Sequence, residues 1–133
     1  MIQYHSAKNA APSLKCTNSS DLFTVSGTTK GNKVLTYPVG LITADEAAYA
    51  GGVAGTANSS FYLYTGKNYW TMSPLMFNGS YAYVYPVGGS GGLYNWSVAH
   101  SSYGVRPVIN LKSSVKSTGS GTSADPYVAV SVS

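Results

Sequence analysis

A small α+β domain is what this sequence predicts. Three observations carry it: one short helix with a complete start signal at Thr43, strand-length apolar and aromatic segments around it, and Gly, Ser, Asn and Pro punctuation every few residues. At 133 residues the chain is most simply one domain, long enough to bury a core without staples. Residues 1–20 read as a polar lead-in arm and residues 21–133 as the domain.

Taken in order, Leu22–Ser26 has the composition of a short strand, and Gly27–Lys33 that of a turn. The apolar stretch Val34–Ile42 follows, where Pro38 argues against a central strand position because proline removes a ladder donor. Thr43-Ala44-Asp45-Glu46 then forms a capping box, with both acids at the positive end of the helix dipole, so Asp45 and Glu46 are read as caps before anything else. Gly51-Gly52 ends this helix. Phe61–Tyr64 and Tyr69–Pro74 are β-like, separated by a Gly66-Lys67 turn. From Tyr81 to Val87 the residues alternate, which places Tyr81, Tyr83 and Tyr85 on one face and Ala82, Val84 and Pro86 on the other. Gly88–Gly92 is a flexible turn, and Leu93–Val98 returns as a second hairpin arm that must contain a bulge or a change of face. Val105–Leu111 reads as a buried extended segment, a Ser/Gly loop continues to Ala124, and Tyr127–Val130 is the last strand.

Only 9% of residues are charged, against roughly 25% in an average soluble domain, so solubility rests on hydroxyls and amides, a pattern commoner outside the cell. The net charge of +4 comes from scattered Lys and Arg, without the basic patch that nucleic-acid binding needs. No run of roughly 18 apolar residues exists to span a membrane. Met1–Ala11 lacks a signal-peptide pattern, so an exported protein would carry its targeting segment outside this sequence. Cys16 is either a buried apolar residue or half of a bridge to an upstream segment. Sequons at Asn18, Asn58, Asn78 and Asn95 are expected by chance in an Asn- and Ser-rich chain.

The run from Asn68 to Val105 holds no Asp, Glu, Lys or Arg and is filled with Tyr, Gly, Ser and Asn around Trp70 and Trp96. That mixture suits a binding surface, since Tyr and Trp give stiff amphipathic contact area while Ser, Gly and Asn give adaptable hydrogen bonds. The same aromatics also suit a β-rich core; their order along the chain favours recognition. Catalysis lacks parts. Two of the four acids cap the helix, Asp125 precedes Pro126 in a turn, and Cys16 with His5 or His100 has no third group to orient a base. His5 and His100 do not have metal-ligand spacing, so no cofactor or metal is expected. Arg106 is expected to make structural hydrogen bonds to carbonyls or a carboxylate.

Tyr69-Trp70-Thr71-Met72-Ser73-Pro74, followed by Gly104-Val105-Arg106-Pro107-Val108-Ile109-Asn110-Leu111, resembles the Y-W-x-x-S-P and G-V-R-P-V-I-N-L motifs of a bacterial surface domain family related to C-type-lectin-like folds. The helix start after Gly40 and the Gly121–Tyr127 segment fit it too. This resemblance implies a C-type-lectin-like fold with paired first and last strands, one or two helices, and a binding region rich in long loops and hairpins. The stretch between the two motifs also resembles the variable region of proteins diversified by retroelements, with Tyr81, Tyr83, Tyr85, Gly88, Ser90, Tyr94, Asn95, Ser97, Ala99, His100, Ser101, Ser102 and Tyr103 of the variable type. Ala82, Val84, Val87, Gly91, Leu93 and Val98 look like a fixed frame; Trp96 departs, and ordinary drift in a Tyr-rich adhesin produces the same palette. Calcium-dependent sugar motifs are missing, as are the carboxylates calcium needs and the paired cysteines of formylglycine-generating enzymes.

The expectation is therefore an extracellular recognition domain at a bacterial cell surface, part of a longer anchored or pilus-like protein, binding a protein or glycan on another cell or phage. The expected ligand contacts are Tyr81, Tyr83, Tyr85, Ser90, Tyr94, Asn95, Trp96, Ser97, His100, Ser102 and Tyr103, with Trp70, Pro74, Arg106 and Asn110 holding the scaffold. The alternative from another class is a structural pilus or cell-wall subunit whose tyrosine face packs on a neighbouring copy.

Overall fold

Thr43 starts the helix as its sequence dictates. In the computed structural model, which describes residues 12–15, 18–24, 29–99, 102–111, 114–122 and 124–130, the Thr43 hydroxyl accepts the Glu46 N–H at 3.1 Å. The Glu46 carboxylate in turn accepts the Thr43 N–H at 2.7 Å, closing the capping box. Behind a single 3₁₀ turn at Ser19–Asp21, the elements are β1 (Gly40–Leu41), α1 (Ala44–Tyr49), β2 (Val53–Ala54), β3 (Pro74–Phe77) and β4 (Ala82–Val84). They continue with β5 (Gly92–Leu93), β6 (Trp96–Ser97), β7 (Pro107–Val108), β8 (Lys116–Thr118) and β9 (Val128–Val130). The chain is a strand-rich α+β domain; among the described residues it has one short α-helix and no helix long and apolar enough to cross a membrane.

Helix α1 stops where the paired glycines require. Gly51 takes φ 108°, open to glycine without a Cβ clash, and the Gly51 and Gly52 N–H groups close on the carbonyls of Ala48 and Ala47 at 3.0 and 2.9 Å. The buried faces of α1 are small: Ala44 and Ala47 are fully covered, and Ala47 joins Phe61, Tyr69, Val87 and Leu93 in the core cluster. Asp45 is also buried, and its carboxylate accepts the Ser13 N–H at 2.8 Å. Tyr49 donates to the Pro12 carbonyl at 2.8 Å, so the end of the lead-in segment is tied to the helix by two side chains. A buried carboxylate at the helix start is tolerable when it is hydrogen-bonded and near the dipole's positive end.

Among the described residues, four small sheets replace one large one. Strand β1 pairs antiparallel with β7, β2 pairs parallel with β5, β3-β4-β6 form an antiparallel three-stranded sheet, and β8 pairs antiparallel with β9. The segment at Tyr69 lies between two neighbours: it exchanges bonds with Val87 at 3.0 Å each way, while the Trp70 N–H reaches the Gly104 carbonyl at 3.0 Å. Ser73 accepts the Ala44 N–H at 2.9 Å, satisfying one orphan donor at the start of α1. The Thr71 hydroxyl bonds the Tyr85 carbonyl. Thus the Y-W-x-x-S-P stretch stitches helix, sheet and loop together.

Several expectations from the sequence need correction. The last strand, β9, pairs with β8, and the early strand β1 pairs with β7, so first and last strands are not partners among the described residues. Phe61–Leu63 is a turn, because the Tyr62 N–H bonds back to the Ala50 carbonyl at 3.3 Å and the Tyr64 N–H to Phe61 at 3.0 Å, leaving no ladder. Of the Leu22–Ser26 strand, Leu22–Thr24 is irregular, while Val25 and Ser26 lie outside the described residues. Val105, Ile109 and Leu111 are exposed, and so are Pro107 and Val108 although they pair with β1. The Ser/Gly loop contains β8, and its far end is closed by Asp125, whose side chain accepts the Ser120 N–H at 2.8 Å.

The three-tyrosine face is also corrected. Tyr81 is 52% exposed, Tyr83 is half-buried and Tyr85 is only 5% exposed. Alternation ends with β4 at Val84, and Tyr85, Pro86 and Val87 are buried in succession. The segment is paired on both edges, with Tyr85 and Val87 donating to Ser73 and Tyr69 and Tyr94 donating to Pro86 at 3.1 Å. Edge pairing makes it central, and burial comes from what packs on its faces: Val87 joins Ala47, Phe61, Tyr69 and Leu93 in the core cluster.

Candidate functional site

The doubly paired segment becomes the floor of a cleft. Gly88 and Gly92 close a tight turn through a 2.8 Å bond, with Gly91 at φ 87°. This turn needs glycine by sterics too, because a Cβ at Gly91 would sit 2.0 Å from the Asn58 carbonyl oxygen. The chain leaves the turn through Leu93, which is 1% exposed, and then swings Tyr94, Asn95 and Trp96 outward. Leu93 is buried and Val98 is exposed, as two residues of opposite parity are on a regular arm, so the bulge or change of face expected for the second arm is not needed to place them.

A cleft of about 760 Å³ opens over this floor. Tyr85, Gly88 and Leu93 lie beneath it; Ser90, Tyr94, Asn95 and Trp96 form one wall; Tyr103 and Asn68 contribute from elsewhere, with Leu75, Ala54, Gly55 and Gly89 completing the lining. Its size falls within the range typical of small-molecule sites, about 300–1,000 Å³. The Trp96 and Tyr103 rings lie 6.1 Å apart between centroids and only 19° from parallel, while Trp70 supports Tyr103 at 4.5 Å and 31°. Three rings therefore run in series, with Trp96 40% exposed at the open end. Offset, near-parallel contact is the favourable way for such rings to meet.

Polar groups are fixed beside the rings. The Ser90 and Tyr94 hydroxyls share a 2.7 Å hydrogen bond, and the Asn68 side-chain amide oxygen (Oδ1) accepts the Gly89 N–H at 2.6 Å, anchoring the turn. No charged residue lines the cleft among the described residues. Burial pushes the Tyr103 phenol above its ordinary pKa, so it remains a neutral hydroxyl at physiological pH. The lining offers rings, hydroxyls and amides suited to stacking and hydrogen bonding. Among the described residues no cluster of three or more His, Cys, Asp or Glu is placed to hold a metal.

Of the residues expected to contact ligand, Tyr85, Ser90, Tyr94, Asn95, Trp96 and Tyr103 meet at this cleft, Tyr85 as floor. Tyr81, Tyr83 and Ser97 do not line it; Tyr83 instead accepts a bond from the Asn78 amide at 3.3 Å. Ser102 is exposed beside Tyr103, and His100 and Cys16 lie outside the described residues. Among the expected scaffold residues, Trp70 braces Tyr103 directly. Arg106 donates to the Leu63 carbonyl at 3.0 Å and lies 4.8 Å from the Tyr69 ring centroid, a cation–π contact as well as the expected carbonyl bond. Tyr69 donates to the same Leu63 carbonyl at 3.0 Å; burial raises its pKa, with Arg106 opposing that shift. Pro74 begins β3 and Asn110 is exposed past β7.

Sequence reasoning missed Asn68, Leu75, Ala54 and Gly55. Asn68 carried a signal, since it opens the charge-free run immediately before Tyr69-Trp70. Ala54 and Gly55 carried none: they arrive through the parallel β2–β5 pairing, which joins segments far apart in the chain. Compared with known proteins, the chain gives no significant match to any family model, curated protein or solved structure.

Proposed function

We propose that this chain is a ligand-recognition domain of a bacterial surface protein, of C-type-lectin-like architecture, which binds through the aromatic cleft between Trp96, Tyr94 and Tyr103. The observation that carries this reading is the convergence of the charge-free, Tyr- and Trp-rich segment on one concave site, with stacked rings and fixed hydroxyls. Exposed aromatic area beside a desolvated floor is the physical character of a binding hot spot. Diversification by a retroelement fits part of the site: Ser90, Tyr94, Asn95 and Tyr103 are at the cleft, while Val87, Gly91 and Leu93 are buried frame. Tyr85, a variable-type residue, is buried, and Ala82 and Val98, assigned to the frame, are exposed.

The test is a screen of the purified chain against a displayed-peptide library and a glycan array, repeated with Trp96→Ala. A binder that loses affinity at least roughly tenfold in the variant supports recognition at the cleft; binders indifferent to Trp96, or none, would refute it. Sequencing the locus across a population tests diversification separately, and variation spread evenly over cleft and frame would sink it. The self-assembly reading gains one specific observation. Met76, Phe77, Tyr81 and Val98 on the β3-β4-β6 region and its flanks are each at least half exposed. Micromolar self-association abolished by Tyr81→Ala, measured by sedimentation, would favour it.

A further inference from the structure

We infer that Asn78 is a self-modifying site, which converts its own side-chain amide to a carboxylate through a succinimide formed with the Gly79 backbone nitrogen. Asn78 is the one asparagine in the chain that glycine follows, so no Cβ crowds the attacking nitrogen. The pair sits at the exposed tip of the β3–β4 hairpin, where Gly79 takes φ 95° and a Cβ built on it would meet no atom within 4 Å. Two backbone donors fix the side chain. The Ser80 and Tyr81 N–H groups both point at one Asn78 side-chain atom, at 3.1 and 2.9 Å, so that atom must be the oxygen, which alone can accept. The amide is thereby folded back along the chain past Gly79, which turns its carbonyl carbon toward the Gly79 nitrogen. Its own nitrogen then faces the Tyr83 hydroxyl at 3.3 Å.

Each of these contacts has a part in the reaction. Water or hydroxide removes the Gly79 amide proton, the nitrogen's electron pair forms a bond to Asn78 Cγ, and the carbonyl π pair moves onto Oδ1. The Ser80 and Tyr81 N–H groups are in place to hold that developing negative charge. When the carbonyl re-forms, the Cγ–Nδ2 bond breaks and the nitrogen leaves as ammonia, taking a proton from the Tyr83 hydroxyl, which recovers one from water. Water then opens the succinimide at either carbonyl, giving aspartate or an isoaspartyl link in which the main chain runs through Cγ. The sum is amide plus water to carboxylic acid plus ammonia. Other asparagine turns lack these parts: Asn18 and Asn58 accept the Ser20 and Ser60 N–H groups at 3.1 and 3.0 Å, but serine follows each. The Asn58 nitrogen is also held at 2.9 Å by the Gly51 carbonyl, which has no proton to give. The product alters the sheet's end. Aspartate would be the only acid in the Asn68–Val105 run, and isoaspartate would add a methylene to the main chain beside the Phe77–Ala82 pair of the β3–β4 ladder.

The experiment incubates the intact chain in neutral buffer, folded and in guanidinium chloride, and follows every asparagine by peptide mass spectrometry with released ammonia as a second readout. Expected is conversion at Asn78 ahead of every other asparagine, at least roughly tenfold faster in the folded chain than in the denatured one, because only the fold positions the donors. Tyr83→Phe should slow it about threefold or more, and a thermal midpoint equal to the parent's keeps folding loss out of that comparison. Asn78→Gln, whose longer side chain would have to close a larger ring, should abolish the fast release of ammonia. A folded rate equal to or below the denatured rate, equal conversion across the asparagines, or an unchanged rate in Tyr83→Phe overturns the assignment.

Discussion

The turn-and-floor region around residues 85–93 and the C-terminal stretch from residue 105 to 130 are built from similar residues and meet opposite fates. Val87 and Leu93 are each 1% exposed, whereas Val105, Ile109 and Leu111 are 60–68% exposed. Hydrophobicity does not separate them; coverage does. Val87 is bonded to Tyr69 on one side and bridged to Leu93 on the other, with α1 packed beyond. Among the described residues the β8–β9 hairpin pairs only with itself, and every residue of its strands is exposed. An apolar side chain is buried when another layer lies on it, and the short elements of this domain supply that layer only near α1.

The sharpest way to break the comparison is at Leu93. Leu93→Ala should cost roughly 2–5 kcal/mol of stability in urea unfolding, by lost burial and a cavity beneath the cleft. Gly91→Ala should cost about 2 kcal/mol or more, because φ 87° and the Asn58 carbonyl both oppose a Cβ, and it should disturb the cleft wall as well. Thr43→Ala removes the cap of α1 and should cost about 1 kcal/mol. Ile109→Ser or Val128→Ser, in the uncovered region, should change stability by no more than about 0.5 kcal/mol. An equal loss from Leu93→Ala and Val128→Ser would show that a partner layer covers the C-terminal hairpin in solution.

The tyrosines sharpen the same contrast through pH. Burial raises the pKa of Tyr69 and Tyr103 above the ordinary 10.0. Below pH 10.0 both phenols are protonated whether the chain is folded or not, so their contribution is intact. As pH rises past that point the unfolded chain loses protons that the folded one retains, and stability falls through the folded pKa values. Absorbance titration of phenolate should therefore show a late-ionising fraction that shrinks in Tyr69→Phe and Tyr103→Phe.

Local grammar was legible. The capping box, the Gly51-Gly52 stop and the Gly66 and Gly88–Gly92 turns all follow from residue chemistry within a few positions. The binding segment was legible as composition, and six of its expected contacts do converge. Misreadings came where a distant segment intervened. Alternation places Tyr85 on an open face because it assumes one solvated side, and the tertiary fold buries Tyr85, Pro86 and Val87 in succession. Phe61–Tyr64 has strand-forming residues, yet hydrogen bonds back to the end of α1 hold it as a turn.

The sequence by itself determined where helix and turns begin and end, the scarcity of charge, and the concentration of aromatic rings between Asn68 and Val105, because these depend on side chains and their immediate neighbours. Tertiary structure alone decided that Tyr85 is floor and Trp96 is wall, that Asn68, Ala54 and Gly55 join the cleft, and that Trp70 braces Tyr103. Those outcomes hinge on contacts between segments far apart in the chain, such as β2 with β5 and Tyr69 with both Val87 and Gly104. Local periodicity carries no record of which distant strand will lie alongside, and burial is settled by that neighbour.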